Sequence, residues 1–390
     1  MALRLTGSID VSTNITSPHF SGSFSGSFPG DGSGLTGIDT DVFPHTGSVV
    51  ISGSLKVTGS VSFGKIIQPS AAAWSAGGAL SSALYRGAGA GTQTAGLAFG
   101  GKTYTIQRTT CTEEYNGATW STGGALPIAT VSLAGAGTQT AALAIGGENT
   151  VSGGTQCSTE EYNGAVWSGG GNLINGGRRL AGAGTQTAGL VFGGELSNIP
   201  KGHTEEYNGS SWSAGGALIL ARYNLAGAGT QTAGLAFGGF GSSYIPLSCT
   251  EEYNGATWSA GGALSIARYT LAGAGTQTAG LAIGGINTNY YLVAATEEYN
   301  GATWSAGGAL ATGRGRLSGA GTQTSALAIG GYDGNGLSCT EEYTKVVGGL
   351  SSTFNHSHPT GKTMIVPPIT DPLILGALWN NGGTLAISAG

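Results

Sequence analysis

Three sets of residues in this 390-residue chain could do chemistry. The first is the tetrapeptide Thr-Glu-Glu-Tyr, which ends at Tyr115, Tyr162, Tyr207, Tyr253, Tyr299 and Tyr343 and supplies 12 of the 20 acidic residues. Paired carboxylates are what a glycosidase uses. Neighbouring residues on a strand face opposite ways, however, so each pair sends one carboxylate to each side of a sheet. Six identical pairs read as scaffold, with one Glu expected to reach the backbone or an arginine of a neighbouring unit. The second set is His356 and His358. On a strand both imidazoles would point the same way, and three such pairs about a threefold axis would give six nitrogens. That set suits iron or a similar transition metal; a single pair reads as a solvated turn. The third set lies where the repeats vary: Tyr85, Tyr104, Tyr223, Tyr244, Tyr269, Tyr290, Tyr291 and Tyr332, with Arg86, Arg108, Arg178, Arg222 and Arg268. Tyrosine offers a flat apolar face and a hydroxyl, which suits sugars or protein surfaces. The bland reading of the same segments is drift in unconstrained loops.

The elements that must position these residues come from a repeat. "GAGTQT" begins at Gly89, Gly135, Gly182, Gly227, Gly273 and Gly319, a period of 45 to 47 residues. Each unit holds four short β-like pieces: "LAGAGT", "AGLAFGG", "TEEY" before an Asn-Gly turn, and "ATWSAGG". Four strands in about 45 residues is one blade of a β-propeller. The first strand would lie nearest the axis, where only Gly and Ala fit. Tyr and Trp would pack farther out, between blades. Trp74 precedes the first "GAGTQT", and the last TEEY has no Trp after it in "TKVVGG". The expected architecture is therefore all-β, a six-bladed propeller closed by the Trp74 strand beside Glu341–Tyr343. In such blades the Thr-Gln-Thr and Asn-Gly turns share one face, nearly constant. The variable loops and the blade connections share the other.

The units resemble the kelch repeat. That family pairs an arginine and an apolar strand ending in Gly-Gly with a later Tyr and Trp, here Arg222, Gly238, Gly239, Tyr253 and Trp258. The resemblance spans about residues 71–346, and the arginine is missing from "PIATVSL" in the second unit. It implies a kelch-like β-propeller. Copper oxidases on such rings need more histidine than His203, the one His in the blades, and sialidases need Asp-box turns. Neither activity is expected, and the ring shows no Ser-His-Asp pattern. Cys111, Cys157, Cys249 and Cys339 form no CxxC pair and sit just before TEEY on separate blades. Disulfides require Cα atoms within about 7 Å, so free, buried thiols are expected.

The ends differ from the ring. Residues 1–70 carry "GSVVIS", "GSLKVT" and "GSVSFG" at a period of six, with alternating Val, Ile, Leu and Phe. Strands so short bury their apolar face only by winding with other chains, which points to a trimeric β-fibre or attachment segment rather than a flexible linker. "SGSFSGSFPGDGSGLTGI" resembles the Gly/Ser-rich shafts of tailed-bacteriophage structural proteins. Residues 347–390, with the His pair and "ALWNNGGTLAIS", read as a small β-hairpin segment and resemble the ends of phage fibre proteins.

A net charge of −5 predicts no affinity for nucleic acid, and no apolar run approaches the roughly 18 residues that span a bilayer. The start lacks a secretory core. These readings together imply a non-enzymatic virion protein: a tail fibre, appendage or surface adhesin. It would be homotrimeric, made in the host cytoplasm and joined to other virion proteins. Its propeller would face a host-surface glycan or protein. The alternative is a bacterial extracellular kelch-like lectin or glycan-active enzyme. An intracellular kelch adaptor would need a helical assembly domain, and no amphipathic helix is evident.

Overall fold

The computed structural model describes residues 72–345 apart from 104–106, 150–153 and 244, together with four short strands near the C-terminus. These residues form an all-β, six-bladed β-propeller, each blade a four-stranded antiparallel sheet. Blade 1 shows the pattern: Ala88–Thr92, Ala95–Phe99, Thr112–Tyr115 and Trp120–Thr122, from the axis outward. The inner strands are mostly Ala and Gly, the second strands are apolar and buried beyond their first residue, and the third are TEEY. Blades 2 to 5 repeat this order.

Blade 6 takes three strands from its own unit and the fourth from the start of the ring. Ala73–Ala76 pairs antiparallel with Thr340–Thr344, placing Trp74 opposite Tyr343. Their rings lie 4.9 Å apart, as the Trp and Tyr rings of blades 2 and 3 lie 4.8 Å apart. The expected closure by Trp74 is the observed one.

Both glycines of "GAGTQT" are demanded by space and backbone. The inner strands touch their neighbours round the axis. A Cβ on Gly135 would stand 2.7 Å from the Gly89 carbonyl oxygen, and one on Gly273 would stand 2.4 Å from that of Gly227. Real Cβ atoms do not come that close, so the axis is glycine by necessity. The second glycine turns the chain with φ near +90°, as at Gly91 (φ 92°) and Gly184 (φ 88°).

On the variable side each blade carries a further rung. The segment before the inner strand pairs with the segment after Gly-Gly: Thr130–Val131 with Glu148–Asn149, Arg222–Tyr223 with Phe240–Gly241, Arg268–Tyr269 with Ile286–Asn287. Near the C-terminus, His356–Ser357 pairs with Thr363–Met364, and Leu378–Asn381 with Thr384–Ile387. The fibre reading of residues 1–70 lies outside the described residues.

Candidate functional site

The constant residues are occupied by the ring itself. In every TEEY the Thr accepts a hydrogen bond from the next blade's Trp, as Trp212 Nε1 donates to Thr159 at 2.9 Å and Trp74 to Thr296 at 2.9 Å. The second Glu accepts from the next blade's tyrosine: Tyr162 to Glu114, Tyr207 to Glu161 and Tyr253 to Glu206, each at 2.6 Å. Tyr115 donates to Glu342 across the closure at 2.5 Å. The Gln of Thr-Gln-Thr is a further clasp. Gln231 Nε2 donates to the carbonyls of Gly189 and Tyr207 in the preceding blade, and Gln139 to those of Gly96 and Tyr115. Repetition of the hexapeptide was visible in the sequence; this role of its Gln was not.

The first Glu of TEEY holds its own blade's entry segment. Glu251 accepts from the backbone N–H groups of Ile219 and Leu220 and from Arg222 Nη2 at 3.0 Å. Arg268 with Glu297 (2.9 Å) and Arg314 with Glu341 (2.6 Å) repeat the arrangement. This corrects two expectations. Arg222 and Arg268 are fully buried and do not reach a rim. Their guanidiniums fill the blade beneath Gly-Gly, donating to the carbonyls of Gly238 and Cys249 and of Gly284 and Ala295. Burial lowers both, Arg268 to about 10. The arginine partner of the first Glu, moreover, belongs to its own blade; the neighbouring blade takes the second Glu.

Blades 1, 2 and 3 have Leu84, Thr130 and Gly177 where the others have this arginine. Glu113 still binds Ser81, and Glu205 still binds the N–H groups of Ile174 and Asn175. Blade 2 has Pro127 at the donor position, which carries no N–H. Glu160 therefore has no hydrogen-bond partner among the described residues, and burial pushes its pKa up. It faces a small cleft with Leu126, Thr130, Ala144, Gly146 and Ser158; the last three stand at the positions of Ala236, Gly238 and Cys249, which receive the Arg222 guanidinium in blade 4.

The thiols also depart from expectation. All four cysteines are free, but Cys157 and Cys339 are exposed and Cys111 and Cys249 half-buried, because they sit on the loops before TEEY rather than within it. Cys249 and Cys339 rest against the clamp arginines, sulfur to Nη1 at 2.8 Å.

Of the variable tyrosines, Tyr290 and Tyr291 stand 69% exposed at a loop tip, near in style to exposed Ile199 and Ile245 on two other loops. Tyr85 and Tyr223 are buried instead, Tyr85 against Tyr332 (5.5 Å) and Tyr223 against Phe240 (5.6 Å). Phe240 also packs on Tyr269 at 4.7 Å. Arg108 and Arg178 are ion-paired, both with Glu148, and Arg178 also with Glu195. Burial pushes Glu148 up, but the bonds and charges of Arg178 and Arg108 outweigh it and hold it below the usual carboxylate range. Tyr104, Tyr244 and His358 lie outside the described residues, so the metal pair with His356 is not placed. Among the described residues no cluster of His, Cys, Asp or Glu is grouped to hold a metal.

The structure brings together residues that the sequence reading passed over. The position two before each inner strand is left-handed in every blade: Arg86, Ser132, Arg179, Asn224, Thr270 and Arg316, with φ between 51° and 59°. Each donates its N–H to the carbonyl of its equivalent in the preceding blade at 2.7–3.0 Å, and the circuit closes from Arg86 to Arg316. This hoop rims the axis on the variable face and carries three arginines. Aligning the residue before "LAGAG" across units would have found the position.

No protein-family model matches the chain, and no curated protein matches it. Fold and faces define its class: a closed six-bladed β-propeller with one uniform face and one variable face.

Proposed function

We propose that the chain is a non-enzymatic binding module of a tailed-phage virion, a fibre, appendage or adhesin presenting its variable face to a host-surface glycan or protein. The blades are kelch-type in this reading. An arginine under Gly-Gly and a Tyr and Trp between blades support it. One observation carries the binding reading. Ile199, Ile245, Tyr290 and Tyr291 are exposed at loop tips on the face where the units diverge, whereas the TEEY carboxylates are, except for Glu160, engaged in holding blades. Solvent-facing aromatic and aliphatic side chains on a rigid ring are what a recognition surface needs. The trimer, the virion attachment through residues 1–70 and a metal at His356 and His358 belong to the same proposal and rest on the sequence alone.

A glycan array probed with the full chain tests the rim. Wild-type protein is expected to bind a defined set of glycans. Tyr290→Ala with Tyr291→Ala is expected to lose about tenfold in signal with an unchanged melting temperature. Undiminished binding by that variant removes the rim from the mechanism.

A further inference from the structure

Two of the three hoop arginines, Arg86 and Arg316, form no ion pair among the described residues. Arg86, Arg179 and Arg316 stand on the hoop, half-buried, and Lys102 pairs with Tyr85 beside it in an isolated bridge. Arg108, Arg178 and Arg179 are ion-paired with Glu148 and Glu195, three cations to two carboxylates. Arg86, Arg316 and Lys102 have no carboxylate partner among the described residues. The Arg316 guanidinium lies 5.0 Å over the Tyr332 ring, and its Nε is buried with no acceptor. Burial, and then the charges of Arg316 and Arg179, bring Arg86 down to about 10, with Tyr85 and Glu148 acting the other way. Burial, then Arg86, lowers Lys102 as well. A chain with a net charge of −5 thus gathers unpaired cations at one point, where they repel one another. An oxyanion at the mouth would relieve that repulsion and accept from two planar guanidiniums.

The surroundings narrow the ligand. The loop tips of this face expose Tyr290, Tyr291, Ile199 and Ile245, with Asp333 the exposed carboxylate on the blade 6 loop. Tyr269, raised by burial, feels the charges of both Arg316 and Tyr290, which ties the mouth to the aromatic tip. One concentrated positive site, with an exposed carboxylate at Asp333 and aromatic tips nearby, fits a ligand with single carboxylates set between apolar ring faces. It fits less well a peptide with consecutive acidic side chains.

We propose that the axial mouth, through Arg86, Arg316 and Lys102, binds the carboxylate of an acidic saccharide. The anion site stands on the hoop alone; the saccharide as its carrier rests on the functional reading above.

Calorimetry on the full chain tests this with three probes: trigalacturonate, a neutral galactose trisaccharide and a hexapeptide of glutamates. Trigalacturonate is expected to bind and the neutral sugar to bind at least about tenfold more weakly. Arg86→Gln and Arg316→Gln are each expected to weaken trigalacturonate by about tenfold, with melting unchanged. If Arg86→Gln fails to fold, Arg316→Gln and Lys102→Gln carry the comparison. No heat with trigalacturonate, or binding indifferent to these variants, overturns the site. Tighter binding of the peptide overturns the saccharide assignment. Trigalacturonate binding that survives Tyr290→Ala with Tyr291→Ala but not Arg86→Gln supports the mouth independently of the rim.

Discussion

At the scale of single residues, TEEY divides its work four ways. Thr receives an indole N–H, the first Glu fixes the incoming chain, the second Glu receives a phenol, and Tyr supplies one to the blade before. The tyrosine donor makes the ring sensitive to alkali. Burial, and then the Glu acceptor, push Tyr253 and Tyr299 up to about 12 and Tyr343 higher. Tyr115, Tyr162 and Tyr207 shift the same way. An unfolded tyrosine titrates near 10. Below pH 10 both states keep the proton and the contribution is complete. From pH 10 towards 12 the unfolded chain releases protons that the ring retains, so stability falls as pH rises. Denaturant midpoints followed by tryptophan fluorescence should hold steady up to about pH 10 and then drop. A midpoint constant through pH 12 would contradict the Tyr–Glu hoop.

At the scale of the blade, the arginine clamp separates blades 4 to 6 from blades 1 to 3. Blade 2 lacks both the guanidinium and the backbone donor, leaving Glu160 facing an unfilled cleft. Thr130→Arg should rebuild the clamp, with donors to the Gly146 and Ser158 carbonyls and to Glu160. Charge-assisted bonds of this kind contribute about 1.5–3 kcal/mol. Calorimetric melting should show a gain in Thr130→Arg that Glu160→Gln abolishes; a loss in Thr130→Arg would mean that desolvation outweighs the bonds. The blade is also the scale at which the sequence was most readable. Period, strand count and the displaced Trp74 follow from spacing, because each strand sits at a fixed offset in an unvarying unit. The direction of an arginine is not encoded that way. Arg222 and Arg86 both precede an inner strand, two residues apart in the unit, yet one enters the blade and the other rims the axis. The difference is the left-handed φ at the second position, 56° at Arg86, which composition does not announce.

At the scale of the whole ring, closure joins the first described strand to the last. Trp74 and Trp304 are both half-buried and both donate to a Thr of the preceding blade at 2.9 Å. If the closing strand is held as firmly as a covalently continuous one, Trp74→Ala and Trp304→Ala should cost the same, about 3 kcal/mol each by urea unfolding. A much smaller cost for Trp74→Ala would mean that the seam opens before the ring unfolds. The uniformity of the seams has another side. The Gln, Tyr and Trp contacts are the same between every pair of blades, so these contacts do not distinguish a blade's proper neighbour from another blade of like sequence; the ion pairs of Glu148 with Arg108 and Arg178 mark only the seams of blades 1 to 3. Elsewhere order is kept by covalent continuity and proximity rather than by recognition. During synthesis at high local concentration, the Trp74 strand of one molecule meets in another's Tyr343 strand a docking edge identical to its own. Correct assembly is then a race between closing on itself and joining a stranger, decided by concentration.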